Sequence, residues 1–387
     1  MIFENLIIND SIWGNLSSSF KKNKIPNAFI FSGDDGTGKE GHAIEFSALL
    51  NCKRVENNLF ACGDCRSCMK SKKLKHEEIH FIHPSPTPKN KTKMSHSILD
   101  PKTIEELNKN YDVKSKNPYH KINLDGSNTI PIDLIRNLKK KLYYSKSDEN
   151  WTVVIIFNSE KLCIPKAESA NSLLKILEEP PERTLFILLT SNSNLLLPTI
   201  QSRCQKIFFK NFDNTELIKY VNENITVDVN PESIDLASGS VSRLLDDLNN
   251  NRSSKFLELL DLFYTNDLKD IEKFLSKANK IKTKNKNELP IYLNFLKVSS
   301  KDLLILSLNN ENQSVDYKFL KEKYLSIINL FPNSNWEKVI ELIDESSINI
   351  SRNINFSLEI YSLLINVQSC LLGNSVNRLN AKIMTQI

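Results

Sequence analysis

Glycine is scarce in this chain, 9 of 387 residues, and so are methionine (4) and tryptophan (3). The low glycine content excludes collagen-like and glycine-rich low-complexity architectures, and a hydrophobic fraction of 40% beside a charged fraction of 25% excludes wholesale disorder. No apolar run approaches the roughly 18 residues that cross a bilayer, so a membrane-spanning helix is not expected. The opening residues, MIFENLIINDSIWGN, have no basic stretch leading into an apolar one. They do not read as a secretory signal, and a cytoplasmic location is the expectation. Charge is nearly balanced, with 51 Lys and Arg against 46 Asp and Glu, so a dedicated nucleic-acid-binding protein is not indicated by charge alone.

Scarce residues are informative by where they fall. Gly33, Gly36, Gly38 and Gly41 lie within nine consecutive positions, and Cys52, Cys62, Cys65 and Cys68 are grouped, whereas Cys163, Cys204 and Cys370 stand singly. In a reducing compartment a grouped set of cysteines reads as metal ligands before disulfides.

The short apolar run Ala28 to Ser32 ends in the glycine cluster and reads as a buried strand, followed by a helix from about Lys39 to Leu50. Further strands are expected at Ile79 to Ile82, Thr152 to Phe157, Leu185 to Leu189 and Lys206 to Phe209. Helices are expected from Ile130 through Leu142 and from Ala170 to Leu177, the second stopped by Pro180 and Pro181. Strands alternating with helices imply an α/β fold with a parallel sheet. Between about Pro84 and Asn128 a lysine-, asparagine- and proline-rich region of weak periodicity reads as an insertion, a loop or hairpin. Beyond Phe212 apolar residues recur at helical spacing. The expected division is therefore 1–212 as an α/β domain, 213–255 as a small helical domain, and 256–387 as an all-α domain.

Gly33-Asp34-Asp35-Gly36-Thr37-Gly38-Lys39 fits the phosphate-loop pattern G-x-x-x-x-G-K, between a strand and a helix as that loop requires. Backbone amides there face phosphate oxygens, and the lysine reaches the outer phosphates. Position 40, however, is Glu rather than the Ser or Thr whose hydroxyl ligates Mg²⁺, and a carboxylate there is expected to repel phosphate. The acids that should stand at the C-terminal end of the strand Thr152 to Phe157 are replaced by Phe157 and Asn158, and Glu160 lies too far along to substitute. Both lesions point to a nucleotide-type fold that does not hydrolyse.

Cys52-x9-Cys62-x2-Cys65-x2-Cys68 supplies the four thiolates of a closed tetrahedral metal site, which suits structural zinc or an iron–sulfur cluster. His76, His80 and His83 follow no metal spacing and read as surface or strand residues. The lysines from Lys70 to Lys75 and from Lys139 to Lys141 could touch DNA phosphates, but such charge runs read first as solvated faces, and Trp13, Trp151 and Trp336 read as core or interface residues.

The sequence resembles the clamp-loader branch of the AAA+ ATPases. The resemblance rests on Ile25 to Gly33 leading into the loop, the four-cysteine module after the loop's helix, Ser172-Leu173-Leu174-Lys175-Ile176-Leu177-Glu178-Glu179-Pro180-Pro181, and Leu197-Pro198-Thr199-Ile200-Gln201-Ser202-Arg203-Cys204. It covers residues 1 to 212 well, and the helical region around Ser238-Gly239-Ser240 less closely. The resemblance implies an α/β AAA+ domain, a small helical lid (213–255) and an all-α collar (256–387) that assembles a ring. Within that family, the degraded motifs match the delta-prime type of bacterial DNA polymerase III subunit rather than the ATP-hydrolysing gamma and tau types, which are the alternative. The resemblance also implies zinc for the cysteines. It implies Gly33, Gly36, Gly38 and Lys39 as a degenerate phosphate loop for which ATP or ADP binding is open, and Arg203 as a finger acting in a neighbouring subunit's ATP site. Gamma/tau- and delta-type subunits, a sliding clamp and primed DNA are the implied partners. An arginine expected three residues after Gly239 is Ser242 here, with Arg243 one place on.

Overall fold

In the computed structural model the described residues are 1–55, 59–86, 99–144, 150–227, 229–250, 252–265, 267–284, 289–308, 315–351 and 355–374. Two compact units are present, one formed by 1–228 with 239–243 and the other by 229–238 with 244–387.

In the first unit, helix α1 (Asp10–Lys21) is capped by the Asn9 side chain, which accepts from the Ile12 amide. Strand β1 (Ala28–Ser32) follows, then α2 (Lys39–Asn51), α3 (Arg66–Lys72), β2 (Ile79–Ile82), α4 (Pro101–Lys114), α5 (Ile132–Tyr144), β3 (Thr152–Ile156), α6 (Glu168–Glu178), β4 (Thr184–Thr190), α7 (Pro198–Gln201), β5 (Gln205–Phe208) and α8 (Asn214–Asn224). The five strands form one sheet in the order β2-β3-β4-β1-β5. Every pairing is parallel. Strands β1 and β4 are buried along their whole length, which is why they read as unbroken apolar runs rather than alternating ones. One sheet face packs on α5 and α6 through Ile30, Val154, Phe186, Leu138, Leu173 and Ile176. Because all strands run the same way, the carboxyl ends of β1, β3 and β4 open on one edge, where crossovers in such sheets leave a crevice.

The expected α/β fold with a parallel sheet is therefore present, with one correction. Part of the segment expected to be a loop or hairpin is helix α4. Its signal was local: Asp100 accepts from the Thr103 amide at 2.9 Å and Pro101 occupies the first turn. Lys102, Asn108 and Lys109, which helped to hide its periodicity, are exposed, whereas Lys114 at its end is buried. Residues 87–98 of that segment lie outside the described residues.

The second unit contains α9 (Pro231–Ala237) and, beyond α10 (Val241–Asn250), the helices α11 (Arg252–Phe263), α12 (Leu268–Lys284), α13 (Leu289–Ser307), α14 (Lys321–Leu330), α15 (Trp336–Ser351) and α16 (Phe356–Leu371). Its core is aromatic: Phe256 stacks on Phe295 at 4.4 Å and Tyr264 meets Trp336 edge-on. Buried hydroxyls are satisfied in pairs, Tyr264 with Ser300 at 2.6 Å and Tyr324 with Ser299 at 3.0 Å. No helix among the described residues is long and apolar enough to cross a membrane.

Candidate functional site

The phosphate loop leaves the buried end of β1 and turns into α2. Gly36 and Gly38 take φ of +82° and +83°, conformations that side chains adopt only at a cost. Gly38 is the N-cap of α2 and offers no side-chain acceptor, so the first amides of that helix are not capped by its own residue. This is the backbone of an anion cradle.

Its side chains are engaged by the protein itself. The nearly buried Lys39 ammonium donates to the Asp34 carbonyl at 2.9 Å and faces the Asp35 carboxylate at 3.4 Å. Lys121 donates to the other Asp35 oxygen at 2.5 Å. Burial works against ionisation of Asp35, but the two ammonium groups outweigh it and hold the carboxyl below its usual range. The Ser240 hydroxyl donates to the Asp35 carbonyl at 2.7 Å, the Val241 amide donates to the Gly36 carbonyl, and Arg243 approaches Asp34 at 3.5 Å. Arg243, one place beyond the expected arginine position, thus reaches the loop, while Ser242 packs on Gly36. The cleft between Asp35, Lys39, Glu40, Tyr119, Lys121 and Ser242 leaves about 10 Å³, room for about one water.

The two degraded positions are brought together. Glu40 does not present a free carboxylate to a phosphate, as the sequence led one to expect. It forms an ion pair with Lys114, the last residue of α4, whose side chain is wholly buried. The Lys114 ammonium also donates to the carbonyls of Pro118 at 3.0 Å and His120 at 2.6 Å, and lies 5.9 Å from the centre of the Phe157 ring. Phe157 is buried, stacked on His83 at 4.3 Å. Asn158 sits at φ +46° and opens a short helical turn, and the Glu160 carboxylate accepts from the Thr190 hydroxyl at 2.7 Å. Mg²⁺ needs several free oxygen ligands. Here one carboxylate is held by a lysine and the next position is a phenylalanine, so these residues do not fit the ion.

His83 is a correction to the surface-or-strand reading. It lies one residue past β2, is buried, and shares a 3.0 Å hydrogen bond with the Tyr111 hydroxyl of α4. Burial, with the Lys114 charge beside it, pushes its pKa down to about 3, so it is neutral at physiological pH. His80 is in β2, and His76 is half-buried with its Nε2 2.9 Å from the Ser67 hydroxyl.

The four grouped cysteines converge. Cys52 ends α2, Cys65 caps α3 and Cys68 lies in its first turn, so two helix ends and the intervening turn deliver the sulfurs. All four Sγ atoms lie within 4.8 Å of one another, and Cys62 and Cys68 are 3.9 Å apart. A tetrahedral ion with metal–sulfur bonds of about 2.3 Å has sulfur–sulfur edges of about 3.8 Å, so this cluster could hold a metal. Backbone N–H groups of Cys62, Cys65 and Cys68 donate to the sulfurs of Cys52, Cys62 and Cys65, outer hydrogen bonds of the kind that orient metal ligands. Trp13 stacks on Phe60 at 4.7 Å next to this module.

Arg203 follows α7 and is not among the residues that line the phosphate-loop cleft. Its guanidinium donates to the Thr199 carbonyl at 2.9 Å and to the Glu178 carboxylate at 2.8 Å, with the side chain 36% exposed. Lys114 and Lys121 are the functional candidates that sequence reasoning missed. Their segment looked featureless, and only the Asp100-Pro101 helix start marked it.

A family described as DNA polymerase III, delta subunit, matches residues 8–213, more than half of the chain. The DNA polymerase III subunit gamma/tau of Mycoplasma pneumoniae is 28% identical over 67% of this chain and 33% of its own length. The tau subunit of Bacillus subtilis is 26% identical over 62% and 34%, and the delta' subunit of the same organism is 26% identical over 63% and 59%. The chain thus spans about a third of the length of the gamma/tau and tau relatives.

Proposed function

The chain belongs to the DNA polymerase III, delta subunit, family of clamp-loader proteins, and from that premise we propose that it is a delta-prime-like, non-hydrolysing subunit of the clamp loader. In this reading it is a scaffold in a ring with gamma/tau- and delta-type subunits that loads a sliding clamp onto primed DNA. Helices within 213–255 serve as the lid and those within 256–387 as the ring-forming collar. The observation that carries the reading is the pairing of Glu40 with Lys114 beside Phe157. Phosphoryl transfer depends on a held metal ion and a positioned water, and the residues at both positions are turned to other uses. Gly33, Gly36, Gly38 and Lys39 then form a degenerate loop that retains the backbone of an anion cradle without the catalytic equipment. The similarity to tau favours a second reading, an active gamma/tau-like ATPase. Mg²⁺-dependent ATP turnover by the purified chain, abolished by Lys39→Ala, would establish that alternative and refute the first.

The four thiolates take structural zinc in this reading, held by Cys52, Cys62, Cys65 and Cys68. They leave no open coordination position, so the ion would staple the α2–α3 junction rather than take part in a reaction. Arg203 is the residue assigned a catalytic role, in trans. A guanidinium keeps its charge at neutral pH and offers a rigid fork of donors to phosphoryl oxygens, and a finger supplied this way is worth about 10³ to 10⁵ in rate. The test mixes an Arg203→Ala chain with wild-type partner subunits, confirms that the ring assembles, and measures DNA-stimulated ATP turnover and clamp loading. Reduced turnover in an intact ring is expected; unchanged turnover and loading would remove the assignment.

A further inference from the structure

The segment between β2 and α5 delivers two lysines to the phosphate loop, and nothing in the proposed scaffold role calls for either. Lys114 is the more constrained. Its side chain has no exposure to solvent, and its three N–H donors meet three oxygens, those of Glu40, Pro118 and His120. A buried ammonium is costly unless it is paired and fully hydrogen-bonded, and this one is both. It also bridges the two positions, 40 and 157, at which a phosphate loop of this pattern places its metal-binding hydroxyl and metal-binding acid. Glu40 supplies the anion, and the Phe157 ring supplies a face that tolerates a cation at 5.9 Å. Farther along the same segment, Lys121 ties Asp35, which in turn holds Lys39.

We propose that this segment carries a built-in cation for the loop: the Lys114 ammonium, seated between Glu40 and Phe157, takes over the bridging and charge-neutralising role for which such loops use Mg²⁺. The loop is thereby held in one closed arrangement that needs neither the ion nor a Mg²⁺-nucleotide. The proposal rests on the non-hydrolysing reading above, and it gives the insertion a purpose. It also explains why both lesions occur together. Glu at position 40 is tolerable because a lysine meets it, and a phenylalanine at 157 is suitable because the charge beside it is an ammonium rather than a divalent ion seeking oxygen ligands.

The test is thermal melting of the full chain in EDTA, in Mg²⁺, in ADP with EDTA, and in ADP with Mg²⁺. The wild-type curves with and without Mg²⁺ are expected to coincide at each nucleotide condition. Lys114→Met leaves the Glu40 carboxylate without its partner and is expected to lower the melting temperature by about 10 °C. The double variant Lys114→Met with Glu40→Ser is expected to regain about half of that loss, since partners in one buried pair are not additive. Should the single variant not fold while the double variant does, the pairing is supported equally. Lys114→Ala supplies a readout that a purely packing role would not move. It leaves a carboxylate and two carbonyls around a small void, hard oxygen donors of the kind Mg²⁺ takes, so Mg²⁺ should raise the melting temperature of this variant alone. Stabilisation of the wild type by Mg²⁺-ADP beyond ADP, a Lys114→Met chain that melts like the wild type, or a folded Lys114→Ala chain blind to Mg²⁺ would each overturn the proposal. Mg²⁺-ADP stabilisation without turnover would sink this inference and leave the scaffold reading standing, whereas turnover would sink the scaffold reading.

Discussion

Gly36 offers a test of what the phosphate loop is for. In a working nucleotide site its missing side chain lets the backbone approach phosphate. Here a Cβ added at Gly36 would lie 2.3 Å from the Ser240 hydroxyl, 2.5 Å from the Ser242 hydroxyl and 2.7 Å from the Ser242 backbone nitrogen. The hydroxyls can shift, but the nitrogen cannot move without the start of α10. To that clash is added the left-handed backbone, φ +82°, which costs a non-glycine residue about 1–2 kcal/mol. Overpacking typically adds about 1–3 kcal/mol. The sum, about 2–5 kcal/mol, corresponds to a fall of about 5–15 °C in the melting transition of a unit this size. Calorimetry of Gly36→Ala without nucleotide is the assay, because the chain has two units whose transitions need separating. Ser242→Ala in the Gly36→Ala background should return part of the loss by removing one hydroxyl while leaving the φ strain. Gly14→Ala is the control of opposite sign. Gly14 lies inside α1 with nothing within 4 Å of an added Cβ, so alanine should stabilise by about 1 kcal/mol. A Gly36→Ala chain that melts unchanged would refute the claim that the loop is packed against its own serines.

Two further predictions concern the same unit. Elemental analysis should find about one zinc per chain, and Cys65→Ser should lower both zinc content and melting temperature, since metal binding and local folding are one equilibrium in such modules; iron, or unchanged values, would refute this. Glu45 is buried in α2 and accepts from the Ile2 and Phe3 amides, and burial raises its pKa from 4.5 to about 7 despite those donors. A raised acid pKa means the folded state holds the proton more tightly, so stability is fully present below about pH 4.5 and declines as pH rises toward 7, by about 3 kcal/mol. Melting curves across that window should show the decline, and Glu45→Gln should flatten it; a wild-type profile already flat would count against the buried, protonated carboxyl.

Much of the first unit was legible because its central strands β1, β3 and β4 are buried on both faces. Runs such as Phe29-Ile30-Phe31 and Val153-Val154-Ile155-Ile156 have no polar interruption, and the glycines after β1 fix where the strand must turn. The cysteine cluster was legible for a similar reason. Its spacing of two residues is a local constraint, and two helix ends complete it. What sequence could not give was the partner of Glu40. Residues 40 and 114 are far apart in the chain, and the charge at 40 looked like damage to a phosphate site when read alone. Only the packing of α4, through Tyr111 on His83 and Lys114 on Glu40, makes it a matched pair. Helix α4 itself was obscured because only Thr103, Tyr111 and Lys114 of its residues are buried, too few for a clear stripe.

In the proposed reading the closed loop and Arg203 are complementary. A subunit whose own loop is occupied by internal ion pairs influences phosphate chemistry only through a group it presents elsewhere, and Arg203 has the charge and donor geometry for that task. Its guanidinium is engaged by Glu178 and Thr199 with 36% of the side chain exposed. Exposed pairs of this kind contribute about 0–1 kcal/mol, so the pair orients the fork without locking it. A phosphate offers the same bidentate acceptor geometry with more negative charge than the Glu178 carboxylate, and exchange of one for the other is favourable wherever a neighbour's phosphate comes within reach. By contrast Lys114 is sealed from solvent with every donor used, and no phosphate could recruit it without breaking a buried pair. The two cations are thus separated by burial: Lys114 is fixed to hold the fold, and Arg203 is lightly held and free to be drawn away.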